Sequence, residues 1–99
     1  MKRYPVHRLA EEDTLAVDFQ SPFLASLNTR VVAPLVPAKE VGPTHLRLNP
    51  RVEFEGVEYA VLVHLMSAVS VRDLGPALGD CDGHHDAFVR ARDFLFDGF

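Results

Sequence analysis

The densest run of potentially reactive side chains lies near the end of the 99-residue chain, where Asp80, Cys81, Asp82, His84, His85 and Asp86 nearly adjoin. Carboxylate, thiolate and imidazole together make a donor set that can hold a metal ion. The spacing works against it. Neighbouring helical residues diverge by roughly 100°, so His84 and His85 cannot face one ion from a single helix. Asp80-x-Asp82-Gly83 is similar to the tail of a calcium loop, but no Glu follows Glu58 to close such a site. Cys81 has no Lys or Arg beside it to stabilise a thiolate and reads as a small loop residue. Ser67, Ser70, His64 and Asp73 are close in sequence, yet no G-x-S-x-G elbow frames a nucleophile. Glu53 and Glu55 alternate with Val52 and Phe54 and so belong to a wet face, with Glu58 nearby. His7 and His45 stand alone, and no glycine-rich loop is present to cradle a phosphate. No catalytic residue, cofactor site or metal site is assigned, and composition and spacing by themselves give a soluble binding domain and nothing sharper.

The elements that must carry any binding surface are short strands and one helix. Ala87, Phe88, Ala91, Phe94 and Leu95 fall on one helical face, which predicts a helix in the stretch Cys81 to Phe99. Asp82 is its expected N-cap, with Asp86 and Arg90 one turn apart on the outer side. The chain then ends on Phe96, Asp97, Gly98 and Phe99, two large aromatics with something to bury or to touch. Upstream, Tyr4–Arg8 and Thr14–Gln20 predict an antiparallel hairpin around a polar turn over 10–13. Pro5 places the first strand at an edge, and Leu15, Val17 and Phe19 alternate as in a half-buried second strand. Phe23 and Leu24 occupy a loop, where they either fold back on the core or form an apolar contact patch. Arg30–Val36 is the most hydrophobic strand, with Pro34 and Pro37 suggesting a bulge or an edge. Leu46–Leu48 reads as a minor strand. Arg51–Phe54 and Val57–Val63 bracket Glu55-Gly56 as a tight hairpin, Leu65–Val71 as a bent strand, and Gly75-Pro76 and Gly79 as breaks before the helix. The sum is a single α+β domain over residues 1–99, mainly β, with a bent antiparallel sheet or partial barrel.

Composition narrows the partners. Ten basic against 14 acidic residues give a net charge of −4, which offers no general attraction to phosphate backbones. Direct nucleic-acid binding is disfavoured. No apolar run is long enough for a bilayer, and the first residues lack the apolar segment of a secretion signal. One cysteine permits no internal disulfide and fits a reducing cytoplasm.

Several stretches then carry a family likeness in the right order: LAVDFQS at Leu15–Ser21, RVVAPL at Arg30–Leu35, Leu48 with Pro50, Tyr59, Met66 to Val69, and Leu95-Phe96-x-Gly98 at the end. At this near-matching spacing the chain resembles the CcdB family over nearly its whole length. The resemblance implies a homodimer with an SH3-like, CcdB/MazF-like partial barrel and one C-terminal helix. It implies a toxin that poisons DNA gyrase through its A subunit, without a cofactor, and is neutralised by a cognate CcdA-like antitoxin with a disordered tail. By position, the gyrase contacts would be Asp97, Gly98 and Phe99, then Asp93 and Phe96, then Phe23 and Leu24. Where the family has a tryptophan that stacks on an arginine of gyrase, this chain has Asp97, which can pair with an arginine but has no ring to bury. A non-toxic or retargeted antitoxin-binding module of the same fold is therefore the alternative. A MazF-type endoribonuclease shares the fold too, but needs a basic RNA groove that a net −4 chain does not supply.

Overall fold

The computed structural model describes residues 2–10 and 13–98. Seven strands form one antiparallel, curled sheet: β1 (Pro5–Leu9), β2 (Leu15–Asp18), β3 (Thr29–Pro37), β4 (Arg51–Phe54), β5 (Val57–Val61), β6 (Ser67–Ser70) and β7 (Leu74–Asp80). The order is β4-β5-β3-β2-β1-β7, with β6 beside the first half of β3. One helix, α1 (His85–Asp97), follows. The mainly-β partial barrel with a single C-terminal helix is the architecture the sequence predicts. Among the described residues, no helix is long and apolar enough to cross a membrane.

Both predicted hairpins form. Val6 faces Val17 across β1 and β2, and the β4–β5 turn uses the left-handed region at Glu55 (φ 52°) and Gly56 (φ 80°), as a two-residue hairpin requires. Val52 and Phe54 point inward while Glu53 and Glu55 stay wet. The expected turn over 10–13 lies partly outside the described residues.

Other expectations are corrected. β1 is an interior strand, flanked by β2 and β7; Pro5 is tolerated because it is the first residue of the strand. β3 is the hub of the sheet and no edge: Val32 to Leu35 face β2, Val32 also faces β6, and Leu35 faces β5. Pro34 fits because its second side falls in the gap between β6 and β5, where its carbonyl accepts from the Leu62 amide at 3.0 Å and no donor is required. All four residues of β2 are buried, so the strand is covered on both faces and not half-buried as its alternation predicts. Leu46–Leu48 is a turn, closed by the Asn49 amide on the His45 carbonyl at 2.7 Å. The predicted bent strand over 65–71 shortens to β6, preceded by a 3-10 turn at Val63–Leu65. The segment with Gly75, Pro76 and Gly79 is strand β7, which pairs with β1 through register shifts. An edge strand with irregular pairing accepts a proline. Gly79 has a second reason: a Cβ there would lie 2.7 Å from the Phe54 ring. Phe54 belongs to β4, so the first and last strands of the sheet order meet at that contact.

Asp82 does not cap the helix. It lies in a 3-10 turn before α1, and the N-cap residue His84 makes no side-chain capping bond. Its carboxylate is taken by Arg3 instead, accepting from the backbone amide at 2.9 Å and the guanidinium Nε at 3.4 Å. The helix seats Phe88 and Ala91 in the core as its periodicity predicts, and Asp86 and Arg90 stay exposed. Beneath it the Phe88 ring meets Tyr4 edge-on at 4.8 Å and stacks on Phe19 at 4.9 Å. These rings fix the direction in which the helix leaves the sheet.

Candidate functional site

Among the described residues, the large aromatic side chains left in solvent are Phe23 and Phe96, on two separate elements. The first is the loop after β2. Pro22–Leu24 make a 3-10 turn in which the Ser21 hydroxyl accepts from the Phe23 amide. Phe23 is 96% exposed and Leu24 48%, so the loop does not fold back onto the core.

Its shape is fixed from below. The Gln20 side-chain amide donates to the carbonyls of Leu24 and Thr29, at 3.1 and 3.0 Å, while its oxygen accepts from the Val31 amide. Arg30 donates to the carbonyls of Ala25 and Leu27 at 2.6 Å each, and to its neighbour Thr29. Behind both residues sits the buried carboxylate of Asp18, which accepts from the Gln20 amide at 2.8 Å and lies 3.7 Å from the Arg30 guanidinium. Burial raises the Asp18 carboxyl above the ordinary range, against the opposing pull of the Gln20 amide and Arg30. Side-chain bonds to backbone carbonyls give a loop without strand pairing a defined conformation. Asp18, Gln20 and Arg30 are the residues that sequence reasoning passed over as functional. Their signal was legible: they are polar or charged residues of a β2–loop–β3 unit whose strands are otherwise apolar.

The second element is the end of α1. Phe96 is 68% exposed, and Asp97 and Gly98 are exposed too. Gly98 takes φ 82° and donates its amide to the Phe94 carbonyl at 3.1 Å, ending the helix in the left-handed conformation. Asp93 is half-buried and lies 3.9 Å from Arg92. Phe94 is held by His45, at 4.6 Å between ring centres, and by the Arg47 guanidinium 4.9 Å from its ring centre. Phe99, the other aromatic expected at the contact, lies outside the described residues.

A cleft of about 260 Å³ links the loop to the helix. Phe23 and Pro22 wall one side, His85 and Arg92 the other, with Tyr4 and Phe19 between. Phe96 stands one helical turn beyond Arg92, on the same helix face. Phe23 on the cleft rim and Phe96 on the helix that walls it are both exposed. Tyr4 sits in the left-handed region at φ 60°, unusual for a bulky residue, and its hydroxyl lies 2.6 Å from Nδ1 of His85. Ring packing and this bond hold a backbone that would otherwise relax.

No cluster of three or more His, Cys, Asp or Glu among the described residues is arranged to hold a metal ion. His85 is engaged with Tyr4, and the His84 ring stacks on Phe88 at 6.0 Å. Cys81 is buried, and burial together with Asp80 pushes its thiol up to about 11. Exposed apolar anchors on a fixed frame suit protein docking.

The family model described as CcdB protein matches residues 3–98. A search of curated proteins gave no match. With that match over nearly the whole chain, and with a curled antiparallel sheet carrying a single C-terminal helix, the chain belongs to the CcdB family, the toxin halves of toxin–antitoxin pairs.

Proposed function

We propose that the chain is a bacterial, cytoplasmic toxin that binds the A subunit of DNA gyrase through the end of its helix and the Phe23–Leu24 loop. It acts as a homodimer, is neutralised by a cognate antitoxin, and carries out no reaction of its own. The observation that carries this reading is the exposure of Phe96 at the helix end and of Phe23 on the rim of the cleft that the helix lines. Apolar side chains of this size left in water by a folded domain are typical of anchors at protein interfaces. Induction of the chain in a bacterium tests it. Growth should stop in a gyrase-sensitive host and continue in a gyrase-resistant one; growth of both strains with folded protein present would overturn the reading.

A second reading is favoured by Asp97, exposed where the family has tryptophan. It holds that the fold and antitoxin binding persist while gyrase poisoning is lost or redirected. Asp97→Trp separates the two. Restoring an aromatic anchor is expected to tighten binding to the A subunit by at least about tenfold, measured by calorimetry. An unchanged affinity would move the contact away from the helix end.

A further inference from the structure

The cleft between the Phe23 loop and the helix differs in charge from the chain as a whole. Arg3, His85 and Arg92 line it, and no Asp or Glu does among the described residues, although the whole chain carries −4. Arg3 already shares its charge with Asp82 at 3.4 Å. Arg92 approaches Asp93 only at 3.9 Å, beyond hydrogen-bonding distance, which leaves its guanidinium donors available. The Tyr4 and Phe19 rings supply an apolar floor, and Phe23 projects from the rim on a loop fixed by Gln20 and Arg30.

We infer that the partner protein lays an acidic segment in this cleft, with Arg92 as its main charge contact and Phe23 as the apolar anchor beside it. A space of about 260 Å³ holds a few side chains of an extended segment; a helix, about 10 Å across with its side chains, does not enter it. A cation beside a desolvated aromatic anchor gives both direction and residence time to an encounter. A nucleic-acid strand also pairs cations with aromatic faces, but it would meet the repulsion of a net negative surface. The inference rests on the gyrase reading and names what the A subunit brings to the same surface.

Calorimetric titration with purified A subunit decides it. Arg92→Glu should weaken binding by at least about tenfold, Arg92→Gln by less, and Phe23→Ala by about thirtyfold or more. Arg90→Glu, on the exposed outer face of the helix, makes the same charge change away from the cleft and should stay within about twofold. Raising the salt from about 0.05 M to about 0.3 M should weaken the wild type more than Arg92→Gln. If the wild type binds and both Arg92 variants match it, the cleft assignment falls and the gyrase reading stands. If the wild type does not bind at all, both fall. A single-stranded oligonucleotide that binds the wild type and is lost in Arg92→Gln would assign the cleft to nucleic acid and overturn the protein partner.

Discussion

Phe23 and Phe96 are both large aromatic side chains left in water, yet they are held there by different means. Phe23 rides on a loop whose carbonyls are gripped by Gln20 and Arg30, with Asp18 buried behind them. Phe96 rides on the last turn of a helix whose direction is set at its other end, by Phe88 against Tyr4 and Phe19. Beyond it, among the described residues, a left-handed Gly98 donates its amide to the carbonyl of Phe94, whose ring His45 and Arg47 hold. The loop is therefore shaped by polar side chains and the helix end by packing. Damage to each should spread differently.

The largest effect is expected on the packing side. Phe88→Ala empties the space beneath the helix and should lower stability by about 3–5 kcal/mol, read from denaturant midpoints. Helix and sheet would come loose together, so Phe96 and the cleft lose their positions at once. A loss under about 1 kcal/mol would show that the helix is seated by something other than these rings.

Arg30→Ala acts on the polar side. The Ala25 and Leu27 carbonyls lose their donor, Thr29 keeps only its bond from Gln20, and Asp18 loses its nearest cation. Its bonds lie at an accessible loop, so the expected cost is about 1–2 kcal/mol, with faster amide exchange confined to residues 21–29. Exchange that quickens throughout the sheet instead would erase the distinction between the two regions.

The smallest effect separates two carboxylates of opposite character. Burial raises the Asp18 carboxyl, so the folded state takes up its proton more readily than the unfolded chain. Its contribution to stability improves as pH falls from neutrality through that raised value. Asp82 is held below the ordinary range, first by the Arg3 amide. Its contribution is present above the unfolded carboxylate value and fades as pH falls through the folded one. Denaturant midpoints of Asp18→Asn and Asp82→Asn, each compared with wild type between neutral and acidic pH, should therefore drift in opposite directions. A parallel drift would contradict one of the two environments.

Much of the scaffold could be read from residue pattern alone. The hairpins followed from alternation and from Glu55-Gly56, and the helix core from Phe88 and Ala91. The misreadings share one cause. Pro5 and Pro34 read locally as edge or bulge and Pro76 as a break, whereas their tolerance depends on what lies beside them: a strand start, a gap between two partners, an irregular edge. Asp82 reads as a cap because nothing local announces Arg3, 79 residues away. The exposed side chains of Phe23 and Phe96 are visible in the sequence as apolar bulk that the core does not need. Arg92 and the cleft are not, since the approach of the β2–β3 loop to a helix some 70 positions later is a product of sheet order rather than of any short motif.

The contact of Phe54 with Gly79 carries a consequence for how the domain behaves at high concentration. Strands β4 and β7 end the sheet order, and they are drawn towards each other by one phenyl ring resting on a bare backbone. A methyl group at position 79 would act as a wedge in that seam. Once parted, each rim would present hydrogen-bonding groups for a foreign strand to adopt, and self-association would compete with folding. The absence of one side chain thus lets the two ends of the sheet order close on each other.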